Sequence, residues 1–169
     1  MNDVDLKERK VSDREEGGRG HQPWEVDVFV YLHSDAPGDF TVESYLQSSP
    51  DSSKLIFYNR FHPGFWVKFH LIDEHDLGYR FPLPSNREDG LLSKLGSDCP
   101  TIEDPHWDVF EKSSIQILDS VTLRAFNPNE EPALGDFQYT LNVSKDGKPR
   151  YLPLDPGGTN NNGMTSQQR

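Results

Sequence analysis

The chain alternates. In "EVDVFVYLH", Val26, Val28, Val30 and Leu32 fall on one side, and Asp27, Phe29 and Tyr31 on the other. "GFWVKFHLID" repeats the pattern with Phe65, Val67, Phe69 and Leu71. "DFQYTLNVS" does so again, setting Phe137, Tyr139, Leu141 and Val143 against Gln138, Thr140, Asn142 and Ser144. A period of two marks a strand with one face on a core, because successive side chains point to opposite faces. Shorter runs, "KLIFYN", "GYRF", "SIQIL", "VTLRAF" and "RYLPL", bring the expected total to about eight strands. Helical periodicity is nearly absent.

Turn chemistry punctuates these runs. "SKDGK" carries Asp146-Gly147, where glycine supplies a positive φ, so strand 137–144 is expected to return as strand 148–154. "LDPGG" sets Pro156 and Gly157 at the centre of a type II turn that ends the last strand. "DEHD", residues 73–76, reads as the connection of a hairpin between strand 64–72 and "LGYRF". Residues 82–112 read as one long connection with a short helix at "NREDGLLSKL", capped by Asn86. Short strands without intervening helices predict an all-β fold: an antiparallel two-sheet β-sandwich, immunoglobulin-like or jelly-roll in topology.

Composition trims the ends. Residues 1–21 mix charges with glycine, and Val4, Leu6 and Val11 are the only aliphatic side chains after Met1. That is too little apolar surface to offset the entropy of ordering a backbone. The Gly/Asn/Gln-rich stretch 157–169 is read the same way, which leaves residues 22–156 as a single sandwich domain. The single cysteine, Cys99, rules out an internal disulfide framework. With no apolar leader and no run of membrane-spanning length, the expected compartment is the cytoplasm and no membrane association is expected.

Net charge is −11, concentrated in residues 71–111, where ten acids face three bases. Such a field repels phosphate backbones and disfavours nucleic acid as a partner.

Candidate chemistry is sparse. Asp73, His75 and Asp76, with Asp104 and His106 from the long connection, supply ligand types for a divalent cation, but their spacing matches neither zinc nor calcium patterns. His62 cannot join His70, because an eight-residue strand spans roughly 26 Å. Cys99 and His106 share a loop, yet Pro100 removes a backbone N–H that an oxyanion would need. No nucleophile elbow, phosphate-binding loop or zinc-protease motif occurs, so neither catalysis nor a cofactor is expected.

The stronger signal is aromatic. The faces of the N-terminal strands turned away from the core carry Phe29, Tyr31 and Trp66, with Lys68 and His70 beside them, and either Phe57 or Tyr58 must also face outward. The off-core face of 137–144 is wholly polar, as contact with water requires. If the aromatic strands are neighbours, the patch reaches several hundred Å², roughly the upper limit for a monomer. Something should cover it: a tail, the 82–112 connection, or another protein molecule. The expected binding residues are Phe29, Tyr31, Tyr58, Trp66 and His70, serving a protein partner or self-association, with the acidic connection adding specificity. A carbohydrate platform with Trp66 and Tyr31 stacking on sugar rings is the first alternative, and a metal-dependent enzyme using the acidic/histidine loops is the second.

Overall fold

A computed structural model describes residues 24–47, 49, 52, 54–57 and 64–160. Among these residues, ten strands form two sheets. They are β1 (Trp24–Leu32), β2 (Phe40–Glu43), β3 (Leu55–Phe57), β4 (Phe65–Asp73), β5 (Leu91–Leu95), β6 (Gln116–Asp119), β7 (Thr122–Asn127), β8 (Gly135–Val143), β9 (Leu152–Leu154) and β10 (Gly157–Asn160). Sheet I has the order β2-β1-β4-β7-β6; sheet II has β3-β10-β8-β5, with β9 also on β8. The all-β two-sheet sandwich expected from the alternation is what is seen. Each sheet is mixed, because β1 lies parallel to β4 and β3 lies parallel to β10. A parallel neighbour needs a long crossover. Here the chain leaves β1 through β2 and β3 and returns as β4.

The predicted core faces close on one another. Val26, Val28, Val30, Phe65, Val67, Phe69, Phe137, Tyr139, Leu141 and Val143 are all fully buried. Between the sheets, Phe69, Phe110, Phe137 and Tyr139 form an aromatic cluster with ring centroids 5.7–6.2 Å apart. Each such ring contributes about 1.5–3 kcal/mol through burial. Phe57 joins this core, 4.8 Å from Phe65, and is not the outward-facing member of its strand.

Four local expectations are corrected. Residues 77–81 do not return along β4 as a hairpin. The neighbours of β4 are β1 and β7, and Arg80 instead forms an isolated bridge with Ser144. The Asp73 carboxylate accepts the backbone N–H groups of Leu77, Gly78 and Tyr79 at 3.0, 2.7 and 3.1 Å, so one side chain satisfies donors that a partner strand would otherwise take.

In the long connection, residues 84–90 form a 3-10 helix whose N-cap is Leu83, and Asn86 lies inside it. Leu91–Leu95, predicted as helix, is strand β5. The edge of β5 is covered by the segment that follows: Ser93 N–H donates to the His106 carbonyl, and its hydroxyl accepts from Val109 and Phe110 N–H at 3.1 Å. That pairing removes a free edge.

The turn at Gly147 forms as expected, with φ +73°, and the return strand pairs Val143 with Leu152. The strand then does not stop at Pro156-Gly157. β9 and β10 face β8 in one continuous register, Leu141↔Leu154 and Gln138↔Gly157, interrupted only where Pro156 has no N–H. The Pro156 carbonyl still accepts from Tyr139 N–H at 3.1 Å. Gly157–Asn160, assigned by composition to the C-terminal tail, therefore closes sheet II.

Finally, the polar face of β8 is not in water. Thr140 and Asn142 are 1% and 2% exposed. The Thr140 hydroxyl lies 2.8 Å from the Pro100 carbonyl, so residues near Pro100 cross the outer face of sheet II.

Candidate functional site

The outer face of sheet I holds the predicted aromatic residues. Because β1, β4 and β7 are adjacent, their off-core residues form rows: Glu25, Trp66 and Phe126; Asp27, Lys68 and Arg124; Phe29, His70 and Thr122. Tyr31 and Ile72 continue the face at one end. Tyr58 and His62 lie outside the described residues.

These side chains pave the sheet by packing sideways. Trp66 meets Phe126 edge-on at 5.4 Å, and the Arg124 guanidinium sits 3.9 Å from the Trp66 ring centroid. Glu25 divides its carboxylate, one oxygen 2.9 Å from Lys68 Nζ and the other 3.1 Å from Arg124 Nε. Asp27 bonds His70 Nε2 at 2.8 Å, and the imidazole stacks on Phe29 at 4.7 Å. Phe29, Tyr31 and Trp66 are each half-buried, neither sealed inside nor fully open. Burial, then the neighbouring Glu43 carboxylate, push the Tyr31 phenol above its usual range. Each partly exposed ion pair contributes about 1 kcal/mol or less; their collective effect is to fix the rotamers of long side chains.

Residues near Pro100 lie over sheet II, so they do not cover the aromatic face. Of the 82–112 segment, its end reaches sheet I, where Glu111 N–H donates to the Phe126 carbonyl. Glu25, Arg124 and Phe126 were missed as members of the face. The signal was present in "VTLRAF", whose off-core residues are Thr122, Arg124 and Phe126, but their place beside Trp66 depends on strand order, which a short run does not reveal.

The acidic and histidine candidates separate. Asp73 is engaged with its own loop, and His75 and Asp76 are exposed in the turn beside it. Asp104 and His106 meet at 3.3 Å on the far side of sheet II, with Asp108 3.8 Å from His106 and Lys94 3.8 Å from Asp104. Among the described residues, no three His, Cys, Asp or Glu side chains converge to hold a metal ion. Cys99 is exposed, and burial together with Asp155 and Asp98 raises its thiol pKa, the opposite of activation. Among the described residues, no helix is long and apolar enough to cross a membrane.

Sheet II carries a concavity that the alternation concealed. A cleft of about 320 Å³ is floored by Thr140 and Asn142 and walled by Arg150, Tyr151, Asp155 and Glu103. Its floor was read as a wetted strand face, since nothing local in "YTLNV" announces a loop packed above it. No family model matches the sequence, and no curated protein matches it.

Proposed function

We propose that this chain is a non-catalytic binding module that docks a protein surface on the outer face of sheet I, with Trp66 at the centre of contact. The observation that carries this reading is the Phe126–Trp66–Arg124–Glu25 arrangement, in which an aromatic ring and a guanidinium hold each other in place. Tryptophan, tyrosine and arginine are the side chains on which protein interfaces most often depend. Rotamers fixed before binding also lose little entropy when covered.

Charge favours a second copy of the chain as the occupant. Overall the molecule carries −11, which opposes self-approach. On this face, however, Glu25, Asp27 and Glu43 stand beside Lys68, Arg124 and His70, so two copies meeting here avoid that repulsion. A two-fold dimer would bring the patch against itself.

Sedimentation velocity of the full chain over roughly two decades of concentration tests the reading. The expected result is a mass that rises with concentration and a Trp66→Glu variant that stays monomeric with an unchanged circular dichroism spectrum. A wild-type chain that is monomeric throughout, and indistinguishable from the variant, overturns it.

A further inference from the structure

The cleft on sheet II is built around a buried amide whose orientation is fixed. Asn142 is 2% exposed, and its side-chain nitrogen donates to the Asp89 carbonyl at 2.7 Å. That bond settles which way the amide is turned. Asn142 lines the cleft, and its side-chain oxygen has no hydrogen-bond partner among the described residues. The Asp89 carboxylate accepts from the Tyr151 hydroxyl at 3.0 Å, which holds the ring forming one wall. One residue behind the cleft therefore positions both its floor and its aromatic side.

The remaining polar groups are complementary. Thr140 shares its hydroxyl between the Pro100 carbonyl and Asp155 Oδ1, at 2.8 and 2.6 Å, leaving the rest of the Asp155 carboxylate for a ligand. Arg150 and Glu103 line the opening, and neither makes an ion pair among the described residues. The cleft thus offers acceptors in Asn142, Asp155 and Glu103, a donor fork in Arg150, and an apolar ring face in Tyr151. A singly charged ligand is attracted by part of this set and repelled by the rest, so it satisfies only some of the walls. A ligand that both donates and accepts while presenting a C–H face meets every group: a neutral polyhydroxyl compound such as a sugar. A volume of about 320 Å³ is at the small end of the ligand-site range, roughly 300–1,000 Å³.

We infer that this cleft is a binding site for a neutral saccharide of one or two rings. It lies on the opposite sheet from Trp66 and stands independently of the docking face. The test is a ¹H–¹⁵N NMR titration of the full chain with maltose, cellobiose and lactose, alongside glucuronate and spermidine as charged competitors. The expected result is saturable shifts of the Asn142 side-chain amide and of Thr140 with at least one neutral sugar. Arg150→Ala is expected to weaken binding about tenfold while leaving the remaining spectrum intact. Glu103→Gln tests the second unpartnered wall residue in the same way, and Trp66→Glu is expected to bind as the wild type does. Absence of shifts with all three sugars, shifts confined to the Trp66 face, or stronger binding of glucuronate or spermidine would each overturn the assignment.

Discussion

Arg124 lies over Trp66, its guanidinium carbon 3.9 Å from the ring centroid, while Nε is held 3.1 Å from Glu25. Cation and ring come from adjacent strands, two residues out of register, since Arg124 is paired with Lys68 and Trp66 with Phe126. This diagonal contact predicts a measurable coupling. In a double-mutant cycle of Trp66→Ala and Arg124→Ala, chemical denaturation should return an interaction of about 0.5–2 kcal/mol. Glu25→Gln should reduce it, because the carboxylate then no longer anchors the guanidinium. A coupling indistinguishable from zero would show that the face is assembled from independent side chains.

Asp73 predicts a different kind of loss. Its carboxylate accepts three backbone N–H groups and substitutes for a strand partner. Asp73→Ala should cost about 1–3 kcal/mol, with Asp73→Asn recovering part of it through its remaining oxygen. Addition of calcium or zinc to the wild-type chain should leave its melting temperature unchanged. A metal-dependent rise abolished by Asp73→Ala would return the loop to the class of cation sites.

The same residue shows where sequence reading succeeded and where it stopped. Strands β1, β4 and β8 were legible because a two-sided sheet imposes alternation, and the turn at Gly147 because few residues other than glycine accept its φ. The loop after β4 was misread because "DEHD" followed by glycine looks the same whether its donors face a strand or one carboxylate. β5 was hidden by adjacent Leu91 and Leu92, both buried, Leu91 in the core and Leu92 alongside Thr140 on the covered face. Covering by a distant loop leaves no local trace. The aromatic face was anticipated in Phe29, Tyr31, Trp66 and His70, but the charged lattice holding it depends on strand order, which the sequence left open.

Tyr139 carries an uncompensated group. Its ring is packed among Phe69, Phe110 and Phe137, and its hydroxyl is buried without a hydrogen-bond partner among the described residues. Desolvation raises the phenol pKa strongly. Tyr139→Phe keeps the ring and removes the unpaired hydroxyl, so it should be neutral or stabilising by about 1 kcal/mol. Tyr139→Ala should cost about 3–5 kcal/mol by opening a cavity. A large destabilisation by Tyr139→Phe in thermal or urea unfolding would refute this account of the hydroxyl.

The Tyr79 hydroxyl donates to Asp35 at 2.6 Å. Burial, then the bond to Asp35, push the Tyr79 pKa from 10.0 to about 12. A phenol with a raised folded-state pKa keeps its proton longer in the folded chain. Its stabilising contribution is fully present below pH 10.0 and is lost as pH rises towards about 12. Asp35 has the opposite sign: the Tyr79 hydrogen bond, followed by Lys145, lowers its pKa, so that contribution fades as pH falls below 3.8. Tyr79→Phe should therefore be less stable than wild type near neutrality, with the difference shrinking at both extremes. A stability difference that is flat across pH would contradict the linkage.

Gly158 tests whether the last strand belongs to the fold. It pairs with Phe137 in the β8–β10 ladder, and a Cβ built on it would stand 2.4 Å from Phe137 Cζ and 2.8 Å from Cε1. Phe137 cannot yield, since its ring is wedged against Phe57, Phe110 and Tyr139. Glycine is needed here for space, because the aromatic ring of one strand fills the place left by the missing side chain of its neighbour. Gly158→Ala should cost about 1–3 kcal/mol through overpacking. Trimming the obstruction should relieve part of the clash: in a Phe137→Leu background, Gly158→Ala should cost less than it does alone, a favourable coupling measurable by urea unfolding. Were Gly158→Ala neutral in the wild-type background, residues 157–160 would not be packed on Phe137, and sheet II would end at Leu154.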